Sequence, residues 1–271
     1  MKLRRALLMI CLATTPLTSL AGDCPELDGR PLPKERVHLY LLIGQSNMAG
    51  RGVMDDDDRQ PVAGVFMLDA ENRWQPARHP LHFDRPSMAG VGLGLDFART
   101  MLEHDRGTGG GDMAIGLIPS AMGGTRLSQW LPGEELYEQA VTRTNAAKRC
   151  GVLKGVLWHQ GESDAKEGLA RSYAKRLSAM IEALRNDLGE PELPFVMGEI
   201  GQFRIGVHGQ SDVIIEQLQD APRLVPRSAC VSSAGLDHKG DFTHFDAKSL
   251  KEFGRRYAAA MIELQSAPRS N

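Results

Sequence analysis

Between residues 37 and 232, short apolar runs alternate with segments of helical period, and few folds accommodate that order. The runs at 37–43, 65–68, 113–118, 155–158, 195–200 and 229–232 have the length and apolar content of buried strands. Between and after them lie helical patterns at 93–103, 134–149, 170–188, 214–218 and 247–264. Tyr173, Leu177, Met180, Ile181 and Leu184 share one helix face, as do Leu250, Phe253, Tyr257 and Met261. Strands and helices in alternation predict an α/β fold, with a central, mostly parallel sheet covered by helices on both faces. There is no internal repeat and no interdomain linker, so residues 22–271 read as one domain with a full core.

The first 21 residues read as a secretory signal. Lys2, Arg4 and Arg5 precede a short apolar stretch, and Ser19-Leu20-Ala21 suits cleavage after Ala21. The stretch is too short to span a bilayer, which takes about 20 residues. Asp23 before Cys24 and Ile10 before Cys11 do not suit lipidation. Export to the periplasm or medium, without a membrane anchor, is the expectation. Cys24, Cys150 and Cys230 would remain, allowing one disulfide by any of three pairings. No Cys-x-x-Cys or Cys/His cluster suggests zinc. The acidic run Asp55 to Asp58 lacks the ligand alternation of a calcium loop. A net charge of -2 argues against a nucleic-acid partner.

In parallel α/β sheets, chemistry collects where the chain leaves the carboxyl ends of strands. Four segments fall there. Gly44-Gln45-Ser46-Asn47 follows the first long run and offers Ser46 as a nucleophile, although the same residues also make ordinary turns. Ser120 to Arg126 contains Gly123 and Gly124, whose backbone N–H groups could approach an oxyanion. Trp158 to Asp164 brings a side-chain amide, Gln160, and a carboxylate, Glu162. Asp241 and His244 precede the last helix, and their three-residue offset lets the carboxylate fold back to orient the imidazole. His38, His159, His208 and His238 are poorer candidates for the base, and Asp246 reads as the cap of the last helix. Two loops stand out besides: 69–85, with Trp74, His79, His82 and Phe83, as a site rim, and the glycine-rich 107–112 as a solvent-side connector.

Gly44-Gln45-Ser46-Asn47-Met48-Ala49-Gly50-Arg51, Gly123-Gly124-Thr125 with Trp130, Trp158-His159-Gln160-Gly161-Glu162-Ser163-Asp164 and Asp241-x-x-His244-Phe245 resemble, in that order, the SGNH-hydrolase superfamily. More narrowly they look like its sialate O-acetylesterase and acetylxylan-esterase-like branch, over roughly residues 36 to 262. The resemblance implies a three-layer α/β/α sandwich and cofactor-free removal of acetyl groups from an acetylated glycan, whether xylan, xylo-oligosaccharide or O-acetyl sialic acid. It implies Ser46 as nucleophile, His244 as general base and acid, and Asp241 as its orienter. It implies an oxyanion hole from the Ser46 N–H, a Gly123 or Gly124 N–H and the Gln160 amide. Gln160 stands where the broader superfamily has Asn, a departure that favours the narrower branch. Gln45, Asn47, Arg51, Arg126, Trp130 and Glu162 are candidate sugar contacts, although Glu162 reads first as structural, bonding a neighbouring loop, and only second as touching substrate.

Two other readings compete. A lipase or thioesterase would need a long apolar groove, whereas Arg51, Trp74, Arg126 and Trp130 suit sugar faces and hydroxyls. A non-catalytic carbohydrate-binding protein would have no use for Ser46, Asp241 and His244 together.

Overall fold

A computed structural model describes residues 24–109 and 111–268; the expected signal segment at 1–21 lies outside them. Its elements in chain order are β1 (Glu26–Leu27), β2 (Arg30–Pro31), β3 (Val37–Gly44), α1 (Ser46–Ala49), β4 (Val65–Leu68), β5 (Trp74–Pro76), α2 (Gly94–Gly109) and β6 (Ala114–Pro119). They continue with α3 (Glu135–Ala147), β7 (Val152–His159), α4 (Tyr173–Asp187), β8 (Phe195–Gly198), α5 (Ser211–Leu224), β9 (Ser228–Val231) and α6 (Ala247–Ser266). Seven strands form one sheet in the order β5-β4-β6-β3-β7-β8-β9, parallel throughout except for the antiparallel edge strand β5.

The central strand shows why both faces are covered. Successive side chains point to opposite faces of a strand, and β3 is apolar on nearly every position. Val37, Leu39, Leu41 and Ile43 enter a core with α3, α4 and α5, containing Tyr137, Tyr173, Leu177 and Leu218. Tyr40 and Leu42 enter the opposite core with α2 and α6, containing Phe97, Met101, Phe253 and Tyr257. Each buried side chain of this size stabilises by roughly 1.5–3 kcal/mol. The last helix starts where Asp246 accepts the Ser249 N–H at 2.7 Å, as an N-cap should.

Register brings the strand ends level. Leu42 pairs with Pro119 and Gly44 with His159, so β3, β6 and β7 release the chain side by side. Gly44 has φ +130°, and a Cβ there would overlap the His159 carbonyl. That close approach lets the Gln45 N–H donate to His159 O at 2.9 Å and fixes the turn that carries Ser46.

Two expectations are revised. The 69–85 rim is largely structural: Trp74 is in β5, and His79 and His82 are buried. The glycine-rich 107–112 stretch begins as the last residues of α2. Among the three possible pairings, Cys24–Cys150 is the disulfide, and Cys230 is free with its thiol pushed up by burial. The bridge spans 126 residues and ties the N-terminal hairpin to the turn after α3. Closing so long a loop restricts the unfolded chain, an effect typically worth about 2–4 kcal/mol. Reduction is therefore expected to lower the melting temperature by roughly 5–15 °C, read by calorimetry of oxidised and reduced protein.

Candidate active site

The turn after β3 places Ser46, 7% exposed, at the first position of α1. His244 comes from the loop between β9 and α6, and its Nε2 lies 3.0 Å from Ser46 Oγ. Its other ring nitrogen, Nδ1, lies 2.7 Å from Asp241 Oδ2. Asp241 Oδ1 accepts the Thr243 and His244 N–H groups at 2.9 and 2.8 Å, so the short loop wraps its own carboxylate. Burial disfavours the ionised carboxyl, but these donors and the His244 ring outweigh it and hold Asp241 at about 2. The carboxylate is thus charged across the neutral range and fixes Nδ1 as the protonated nitrogen, turning the lone pair of Nε2 toward Ser46.

Asn47 holds this loop from the other side. It is wholly buried, and its Nδ2 donates to Glu162 Oε1 at 2.6 Å and to Thr243 O at 3.1 Å. Its Oδ1 accepts the Phe245 N–H at 3.1 Å. The residues on either side of His244 are therefore bonded to the neighbour of Ser46. Asn47 is a tie between the two loops rather than the sugar contact expected of it. Glu162, 7% exposed, is the far anchor of the same tie. Burial opposes its charge, and the His159 ring with the Arg204 charge overcomes this, holding its carboxyl at about 2.

The cleft above Ser46 has a volume of about 310 Å³ and is lined by Gln45, Arg51, Arg85, Gly123, Gly124, Arg204 and their neighbours. The glycine turn is shaped by a buried pair: Arg51 Nη2 meets Asp84 Oδ2 at 2.6 Å, and that oxygen also accepts the Gly123 N–H at 2.9 Å. Arg51 is thereby committed to Asp84, and the Gly123 N–H is occupied. Gly124, with φ +82°, keeps an N–H that has no hydrogen bond among the described residues.

Three further expectations do not survive the geometry. Gln160 is wholly buried and does not line the cleft; its Nε2 faces Gln45 Oε1, Thr125 O and Asp164 Oδ2 at 3.2, 3.0 and 2.8 Å. Two N–H bonds facing three acceptors leave nothing for an oxyanion. Trp130 is 1% exposed, stacks edge-on against Trp158 and donates to Thr125 Oγ1, so it belongs to the core. Arg126 is exposed and caps the turn at Leu127–Trp130, outside the cleft.

Sequence reasoning misses Arg204 and Asp84. Arg204 follows β8, and a survey of every loop after a strand would reach it. It is 6% exposed, has no ion pair among the described residues, and its Nε is buried without a partner. Burial lowers its pKa, opposed by the charges of Glu162 and Asp241.

A serine, a histidine and a carboxylate in hydrogen-bonded series beside free backbone N–H groups are the parts acyl transfer needs. Among the described residues no group of His, Cys, Asp and Glu is arranged to hold a metal ion, and no helix is long and apolar enough to cross a membrane. Fold and site together define an SGNH-type ester hydrolase. Residues 36–263 match the family described as carbohydrate esterase, sialic acid-specific acetylesterase, and the chain belongs to that family. A probable carbohydrate esterase of Arabidopsis thaliana is 34% identical over 263 residues, covering 89% of this chain and 95% of the plant protein. Its crystal structure superposes with a TM-score of 0.75 at 33% identity, over 83% of this chain and 98% of the other. NanS shares the fold, with a TM-score of 0.71 at 18% identity over 86% of this chain and 98% of its own.

Proposed function

We propose that the protein is an exported serine esterase that removes O-acetyl groups from carbohydrates through Ser46, His244 and Asp241. The observation that carries this reading is the 3.0 Å approach of His244 Nε2 to Ser46 Oγ with Asp241 2.7 Å behind it. Ser46 Oγ attacks the acetyl carbonyl carbon while its proton passes to His244 Nε2. The carbonyl electron pair moves onto oxygen, and the oxyanion is met by the Ser46 and Gly124 N–H groups. Collapse expels the sugar oxygen, which takes the proton from His244 and leaves an acetyl-enzyme. Water, deprotonated by His244, then releases acetate and restores Ser46. The Cys24–Cys150 bridge supports export, because structural disulfides persist in oxidising compartments. The family description supports a sugar as the leaving group.

Arg204 favours an acidic sugar over a neutral one. A guanidinium that lines the cleft with its Nε buried and unpartnered, and with no ion pair among the described residues, suits a substrate that supplies a carboxylate, such as O-acetyl sialic acid. Wild-type protein should therefore release acetate faster from O-acetyl sialic acid than from acetylated xylo-oligosaccharide, and a fluorophosphonate should label Ser46. Loss of a charged hydrogen bond costs about 1.5–3 kcal/mol, roughly 10–100-fold. Arg204→Gln should raise KM for the acidic substrate by that factor and leave the neutral one within about 2-fold. Equal effects on both substrates would remove Arg204 from sugar recognition, and an unlabelled Ser46 would remove the esterase reading.

A further inference from the structure

We propose that His238 is a positioning residue of the loop between β9 and α6, holding the two backbone N–H groups on either side of Asp241. This rests on the serine-esterase reading, which His238 serves from outside the cleft lining. The loop is pinned at its base, where the Lys239 N–H donates to His244 O at 3.0 Å and the Asp246 N–H to Asp237 O at 3.1 Å. At its tip the acceptors are the loop's own side chains. Asp241 Oδ1 takes the Thr243 and His244 N–H groups. His238 Nδ1 takes the Gly240 N–H at 2.9 Å and the Phe242 N–H at 3.3 Å. The carboxylate behind His244 is thus carried by a segment whose two flanking amides end on one imidazole nitrogen.

To accept two N–H groups, Nδ1 must carry its lone pair, so the proton of neutral His238 sits on Nε2, the reverse of His244. Packing places the ring. Phe203 lies 5.1 Å from it and in turn meets the buried Phe245 ring at 5.1 Å. The Phe242 ring covers His238 at 4.0 Å, with the planes 31° apart. Phe242 has φ +50°, a conformation that strains a bulky residue and persists only where its neighbours impose it. Its ring stack and its N–H bond, both to His238, impose it here. Without an acceptor at Nδ1, Phe242 would relax toward negative φ, swing the peptide that joins it to Asp241 and draw the carboxylate off His244 Nδ1. Protonation acts in the same way, because an imidazolium sets an N–H donor against the Gly240 and Phe242 amides. Asp237 Oδ1 faces Nε2 at 3.9 Å. Lys239 and Asp241 are the charged neighbours along the loop, and Arg204 follows Phe203 on the segment packed against the ring.

Two substitutions separate the acceptor from the ring. His238→Phe keeps the aromatic packing and removes the acceptor; His238→Asn keeps an oxygen near the Nδ1 position and gives up the ring. Misplacement of a catalytic group by about 1 Å costs roughly 10²-fold in rate. His238→Phe should therefore lower kcat on a short-chain acetyl ester by about 10–100-fold with KM within about 3-fold. His238→Asn should keep kcat within about 5-fold of wild type. A kcat for His238→Phe within about 3-fold of wild type overturns the assignment, and so does a His238→Asn protein as impaired as His238→Phe. The wild-type protein gives a readout independent of variant folding. In an NMR titration the Gly240 and Phe242 amide resonances should move with the same midpoint as the His238 ring, and the neutral ring should show Nδ1 as its unprotonated nitrogen. Amides that ignore the ring's titration, or a neutral ring with its proton on Nδ1, overturn the proposal. A wild type that releases no acetate overturns the esterase reading, whereas an active wild type with an unimpaired His238→Phe variant overturns the His238 assignment alone.

Discussion

Ser46→Ala is expected to lower acetate release by a factor on the order of 10⁶ while leaving the protein folded. The size follows from the proposed roles of the three side chains, which would act as a unit. In the proposed mechanism His244 Nε2, 3.0 Å from Ser46 Oγ, takes the serine proton and Asp241 acts by holding His244. Without the hydroxyl no acetyl-enzyme forms, and what remains is the pull of backbone donors on a carbonyl attacked by water. The stability cost is small because Ser46 Oγ bonds only to His244 and lies against the open cleft, so no buried donor loses its partner. Acetate release and thermal melting, measured on the same preparation, separate the two effects. A variant with wild-type release would mean that Ser46 is not the nucleophile.

Local relations are legible in the sequence, and relations between distant loops are not. The sheet can be read because β3 is apolar on both faces, a pattern that only a strand covered on both sides tolerates. The Asp241–His244 bond can be read because three residues of turn bring the groups together whatever the rest does. The edge strand β5 escapes because three residues containing Pro76 carry no period. The burial of Gln160 away from the cleft cannot be read: its amide is held by Thr125 O, 35 residues away, and by the Tyr173 hydroxyl. Trp130 and Trp158 are both aromatic residues near motif glycines, and only packing reveals that they stack on each other in the core. Arg204 escapes for a different reason: the loop after β8 has no glycine-rich or paired-residue signal. An arginine becomes informative there only once it is seen to line the cleft with its Nε buried and unpartnered.

Asn47→Asp changes one atom and is expected to harm both stability and turnover. The wild-type Nδ2 sits 2.6 Å from Glu162 Oε1 and 3.1 Å from Thr243 O, two acceptors that a carboxylate oxygen cannot serve. The substitution would bring a second carboxylate against one that is already buried and ionised, so one of the pair must take up a proton. Leaving a buried charge uncompensated costs about 3–5 kcal/mol. If the introduced carboxyl takes the proton and donates it to Glu162, the Thr243 carbonyl still loses its partner. The loop then shifts at the residue before His244, and the imidazole leaves the line between Ser46 and Asp241. Misplacement by about 1 Å is enough to cost roughly 10²-fold in rate. The expected result is a lower denaturation midpoint at neutral pH together with a kcat reduced at least about 10²-fold. The deficit in stability should shrink on acidification toward pH 5, as the new carboxyl protonates. Ionised Glu162 stabilises the wild type above the unfolded carboxyl pKa, and that contribution fades only as pH falls toward about 2. The variant should therefore lose the like-charge part of its handicap in a range where the wild type still keeps its bond. A deficit that does not change between pH 8 and pH 5 would show that like-charge repulsion against Glu162 is not its cause.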